Sequence, residues 1–170
     1  MSIDCIMNRR SVRTFTADPV SDEDIRTLLS AGMAAPSAKN MRPWEFIVVR
    51  DPERRSDLAA LCPYWKPAAS APVVIVVCGN TTSGDPTVLN YYVQDCSCAS
   101  ENILCAAAGI NLGGVWLGVY GEEDRMLNVA NLLHLPDGVY AVSLLAIGHP
   151  EHFAEPHHAY DEDSVHQETY

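Results

Sequence analysis

The chain has 170 residues, 48% of them hydrophobic, which is enough to bury a sizeable core in one domain spanning 1–170 and leaves little room for a second. A formal net charge of −11 and a pI near 4.8 argue against nucleic acid and anionic membrane surfaces, both of which favour a broad basic face. With no apolar stretch long enough to cross a bilayer and no leader-like run in residues 1–11, a soluble cytoplasmic protein is expected, its six cysteines reduced and packed as small hydrophobes.

Arg9, Arg10 and Arg13 concentrate positive charge in RRSVRTF, beside the hydroxyl of Ser11. A solvated arm and an anion site both fit such a run, and guanidinium with a hydroxyl is what a phosphate needs. Ser21 with Asp24 then predicts a helix start, and Ile25, Leu28, Leu29 and Met33 recur on one face toward Ala34, where Ala-Pro-Ser ends the helix. Residues 45–49 read as a strand, 52–61 as a helix, 73–78 as a fully buried strand and 80–86 as a loop. Val93, Cys96, Ile103, Leu104 and Ala107 trace a long helix stopped by Gly109 and Asn111. A strand at 115–120, a helix at 122–133, a strand at 139–147 and a polar, irregular tail from about 150 complete the pattern. Helices and strands mixed in this way, without an internal repeat, imply an α+β or α/β layered structure.

Several chemistries lack their residues. Cys96 and Cys98 are two apart in a predicted helix and project to nearly opposite sides, so a shared metal is not expected. His149, His152, His157, His158 and His166 match no strong metal template. There is no G-x-x-x-x-G-K-[ST], G-x-S-x-G or H-E-x-x-H. Gly109, Gly113, Gly114 and Gly118 follow a helix and lead into a strand, the reverse of a dinucleotide fingerprint. They fit a helix cap and tight turn, or the close backbone approach of a flat ligand. An anion site, uncovered glycines and no obvious catalytic side chain suit a protein whose cofactor carries the chemistry.

Four stretches, R-R-S-V-R, A-A-P-S-A-K-N-M-R-P-W-E-F-I-V-V, N-L-G-G-V-W-L-G and I-G-H-P, together resemble the FMN-dependent nitroreductase family, and the likeness spans residues 8–165. P-S-x-x-N-x-x-P-W-x-F is its most specific part. The resemblance implies an α+β fold with a mixed β-sheet flanked by helices, an intertwined homodimer, and two FMN molecules in the subunit interface. It assigns Arg9, Ser11 and Arg13, with Arg10 among them, to the FMN phosphate and ribityl chain, and Pro36, Ser37, Ala38 and Asn40 to the flavin of the opposite subunit. Leu117 and Gly118 correspond to a turn whose backbone N–H groups meet flavin N5 and O4, so the identity of the Leu117 side chain is expected to matter little. Lys66 corresponds to a basic residue near N1 and the C2 carbonyl, a solvated loop lysine being the alternative; Trp44 is expected in the core. NAD(P)H would deliver hydride to N5 and be replaced by a nitroaromatic, quinone or similar acceptor, a ping-pong exchange. Ala159 stands where the family commonly has an arginine for the phosphate, so either His157 and His158 substitute or FMN is held less tightly. A non-catalytic flavin or metal binder using the histidine-rich tail, and a dehalogenating or fragmenting member of the fold, remain alternatives.

Overall fold

The computed structural model describes residues 3–152, 155 and 160–170. Among them run α1 (Asp4–Met7), α2 (Asp22–Met33), β1 (Trp44–Val49), α3 (Pro52–Ala60), α4 (Lys66–Ser70), β2 (Val73–Asn80), α5 (Pro86–Gly109), β3 (Gly113–Gly118), α6 (Glu123–Leu133) and β4 (Val139–Gly148). The strands form one sheet in the order β1-β2-β4-β3. Each of the pairs is antiparallel, with Trp44 opposite Gly79, Val73 opposite Ile147, and Gly118 opposite Ser143. The fold is α+β as expected, but the four-stranded sheet is antiparallel rather than mixed; among the described residues the parallel element is confined to the bridge between Ser11 and Gly114.

Alternation along β2 explains its unbroken apolar run. Val74, Val76 and Cys78 enter one core cluster, and Val73, Ile75 and Val77 enter the other, because successive side chains of a strand point to opposite faces. Leu28 of α2 and Cys96, Ala99, Ile103 and Leu104 of α5 cover one face; Leu58 of α3, Ala68 of α4, Val129 of α6 and the indole of Trp65 cover the other. Fully buried side chains such as Leu28 and Leu58 each contribute about 1.5–3 kcal/mol by leaving water. Burial pushes the thiols of Cys78 and Cys96 up to about 12, leaving both protonated and inert. Trp44 is 8% exposed and belongs to the core.

Local chemistry sets the helix starts. The Ser21 hydroxyl accepts from the Asp24 N–H at 3.0 Å and donates to the Asp24 carboxylate at 2.7 Å, a variant of the expected capping box. Asp85 caps α5 by accepting from the Thr87 N–H at 2.7 Å, a bond that lowers its pKa, and Pro86 supplies the preset φ of a first helical residue.

Helix α5 ends where expected: Gly109 is its last residue, and the left-handed turn falls on Asn111 at φ 61. Three expectations need correction. The apolar face of α2 is narrower than its sequence suggests, since Met33 is 54% exposed while Gly32 is buried. Gly113 and Gly114 lie in β3, not in a turn. Lys66 begins α4, not a loop; Arg55 on α3, 9% exposed, holds that helix by donating to the carbonyls of Ala69, at 3.0 Å, and Ala71. No helix among the described residues is long and apolar enough to cross a membrane.

Candidate functional site: a cationic cleft at the free edge of β3

β3 is an edge strand, and the N-terminal basic segment is fastened along it. The Val12 N–H donates to the Gly114 carbonyl at 3.0 Å, the Thr16 N–H to the His149 carbonyl at 2.9 Å, and Phe15 bridges Pro150. The Gly114 carbonyl therefore points to the outer edge, and alternation directs the backbone amides of Trp116 and Gly118 the same way, past the end of that bridge. A Cβ built on Gly118 meets nothing within 4 Å. Leu117, in contrast, is 5% exposed and packs with Val115 and Leu144 in the core, so its identity matters for packing, contrary to expectation.

Beside this edge lies a cleft of about 710 Å³. Its lining includes Arg13, Lys66 and Arg125 together with Tyr64, Trp65, Leu117 and Gly118, and no aspartate or glutamate. Among the described residues, the side chains of Lys66 and Arg125 make no hydrogen bond or ion pair, and the Arg13 guanidinium reaches only the Ser11 carbonyl at 3.3 Å. Three uncompensated cations around one hollow make a local reversal of sign in an acidic protein, a ready site for an anionic or electron-rich group.

The other end of the basic segment is arranged differently. Arg9 and Arg10 line a smaller cleft of about 190 Å³ with Val12, Gly113 and Gly114. Arg9 Nε pairs with Glu101 Oε1 at 2.9 Å, and Arg10 donates to the Glu155 carbonyl at 2.9 Å. Here the glycines serve packing: a Cβ on Gly113 would stand 2.7 Å from Val12 side-chain atoms, and one on Gly114 2.7 Å from Leu104 Cδ2.

The segment from Pro36 to Asn40 lines neither cleft. It forms a single 3₁₀ turn, Ala38–Asn40, in which Lys39 and Asn40 take φ of 48° and 57°, followed by Arg42 at 49°. Left-handed backbone at successive non-glycine residues is costly and persists where surrounding bonds over-determine it. Those bonds are present: the Ala38 N–H donates to Asp95 Oδ1 at 2.9 Å, the Arg42 N–H to Ser37 Oγ at 3.0 Å, and Arg42 Nε to Asn40 Oδ1 at 2.8 Å. Asp95 is 5% exposed, and its Oδ2 has no partner among the described residues.

The sequence model of the Nitroreductase family matches residues 6–64 and 62–149. The chain belongs to the nitroreductase family. A protein of Archaeoglobus fulgidus, provisionally named NADH dehydrogenase/NAD(P)H nitroreductase, is 40% identical over 172 residues, covering 97% of this chain and 96% of its own. A solved structure from Parabacteroides distasonis, under the same provisional name, is similar with a TM-score of 0.93 at 36% identity, covering 99% of this chain and 98% of its own. The FMN-dependent nitroreductase of Clostridium difficile R20291 gives a TM-score of 0.90 at 25% identity, with 99% and 100% covered.

In this member of the family the residues expected at the flavin fall into three groups. Arg13, Lys66, Leu117 and Gly118 share the larger cleft, Arg9 and Arg10 share the smaller one, with Ser11 between them on the bridge to Gly114, and Pro36, Ser37, Ala38 and Asn40 lie outside both, in the segment whose Ala38 N–H is bonded to Asp95 of α5. His157 and His158 lie outside the described residues, as does Ala159. Sequence reasoning missed Arg125, Tyr64 and Asp95. Asp95 carried a signal, an acidic residue beside Cys96 on the buried face of a helix; Arg125 and Tyr64 carried none, since each reads as an ordinary exposed side chain. No cluster of three or more metal-ligating side chains occurs among the described residues.

Proposed function

We propose that this nitroreductase is a single-domain FMN-dependent NAD(P)H oxidoreductase of the cytoplasm, with the flavin ring in the larger cleft and the phosphate at Arg9, Arg10 and Ser11. The observation that carries this reading is the open edge at Gly118, where an outward backbone amide meets a cleft holding uncompensated cations. The two clefts flank the same strand, and from Gly114 to Gly118 β3 advances about 13 Å, which suits an elongated ligand with a flat ring at one end and a phosphate at the other. Bound there, FMN supplies hydride transfer from NAD(P)H to a nitroaromatic, quinone or similar small acceptor.

The protein's own groups do the rest. The Gly118 N–H is free to donate to the ring edge, and no side chain blocks the approach. Lys66 and Arg13 place positive charge where hydride transfer brings negative charge, which is the electrostatic support such a step needs. Trp65 and Cys62, 2% and 3% exposed, floor the cleft and exclude water beneath the ligand. Arg9 is shared with Glu101, so a phosphate competes with that carboxylate.

An intertwined homodimer completes the proposal. Ser37, Ala38 and Asn40 line neither of the two clefts, yet Asp95 and Arg42 hold them in a strained and defined shape, which supports a role toward a second copy. Sedimentation should find a dimer at micromolar concentration; a stable monomer that keeps stoichiometric flavin would remove the shared site.

Purification tests the whole reading. The protein should be yellow, bleach with NAD(P)H under anaerobic conditions and recolour when a nitroaromatic or quinone is added. A colourless protein that takes up no FMN, or one retaining zinc or nickel, would sink it.

A further inference from the structure

Arg125 and Tyr64 have no part in the flavin assignments above, yet both line the larger cleft. Arg125, in the first turn of α6, is half-buried, and its guanidinium makes no hydrogen bond or ion pair to a described residue. Acidic neighbours do not neutralise it: Glu122, Glu123 and Asp124 precede it, none pairs with it, and Glu123 lines a separate groove with Leu127 and Tyr140. Tyr64 sits in the turn closed by the Trp65 N–H to Cys62 carbonyl bond, is 79% exposed, and has no ring partner among the described residues. A single exposed tyrosine or arginine is unremarkable alone. A free aromatic face and an unpaired guanidinium in the walls of one cleft, with no carboxylate there, form a recognition pair.

We propose that Arg125 and Tyr64 make the site selective for planar aromatic acceptors that carry an anionic substituent such as a carboxylate. Tyr64 offers a stacking face to the ring, and Arg125 offers paired donors to the anion. This specificity rests on the FMN reading of the cleft. Size favours the acceptor over the donor as the partner of Arg125: with the proposed flavin ring in place, a cleft of about 710 Å³ would leave room for a single-ring molecule and not for a whole dinucleotide.

The probes are 4-nitrobenzoate and 4-nitrobenzamide, matched in shape and different in charge. In the FMN-saturated protein, kcat/KM and calorimetric affinity should both favour 4-nitrobenzoate. Arg125→Gln should erase that preference by lowering nitrobenzoate about tenfold or more, with far less effect on nitrobenzamide and on FMN affinity. Arg125→Lys should restore part of it, and added salt should shrink it in the wild type. Tyr64→Leu should lower both probes together, by about threefold or more. No charge preference in the wild type, an equal loss of both probes in Arg125→Gln, or a loss confined to the KM of NADH or NADPH would each overturn the inference. If the protein takes up no FMN, the functional reading fails by itself; calorimetry on the protein alone still separates the probes, and equal binding overturns the selectivity.

Discussion

The two ends of β3 use the same residue types for different ends. At Gly113 and Gly114 the backbone is pressed between Val12, Pro150 and Leu104, and the nearby guanidinium groups of Arg9 and Arg10 are engaged by Glu101 and by the Glu155 carbonyl. At Gly118 nothing approaches a built Cβ within 4 Å, and Arg13, Lys66 and Arg125 face a cleft without a carboxylate. Glycine means close packing at one end and open access at the other; a cation means a closed contact at one end and unused charge at the other. Compensation, more than residue type, separates scaffold from site.

Substituting the glycines breaks this contrast most severely. Gly114→Val forces a methyl into Leu104, an overpacking that should cost about 3 kcal/mol or more and lower Tm by roughly 6–12 °C. Gly118→Val should leave Tm nearly unchanged yet weaken FMN about a hundredfold, because the branched side chain stands where the ring must approach. Thermal melts paired with FMN fluorescence titrations read both effects, and a Gly118→Val protein that binds FMN like the wild type would remove the ring from this end. Smaller effects follow from charge. Arg13→Ala and Lys66→Ala should each weaken FMN about tenfold without unfolding the protein, and their double variant should depart from additivity because both act in one cleft. The smallest effect sharpens the picture of the closed end: Glu101→Gln frees Arg9 and should tighten FMN about threefold, in keeping with the modest strength of an exposed ion pair, and the gain should fade with salt. Weaker binding in Glu101→Gln would show that the carboxylate positions Arg9 and does not compete for it.

What could be read ahead of the structure followed signal length. β2 and β4 announce themselves through long apolar runs, and α2 through its cap at Ser21, because those signals are local and repeated. The five residues of α4 carry no full period, and their position depends on Arg55, which is distant in sequence, bonding to Ala69 and Ala71. Gly113 is read wrongly for the same reason: Val12 and Pro150, which require it to be glycine, come from remote parts of the chain, while Gly114 is held to glycine by Leu104 on the preceding helix. Within the site, family likeness pointed to Arg13, Lys66, Leu117 and Gly118, and the fold gathers them at one cleft. It also grouped Arg9, Arg10 and Arg13 as one cluster, whereas the segment carries them to two clefts; the short sequence spacing concealed the difference.

A crystal structure of the protein with FMN tests the central claim most directly. The flavin ring should lie against the backbone of Leu117 and Gly118 with its polar edge toward Lys66 and Arg13, and the phosphate beside Arg9 and Ser11. A ring seated in the groove lined by Leu127 and Tyr140, or a phosphate held at Lys66 with the ring elsewhere, would contradict it.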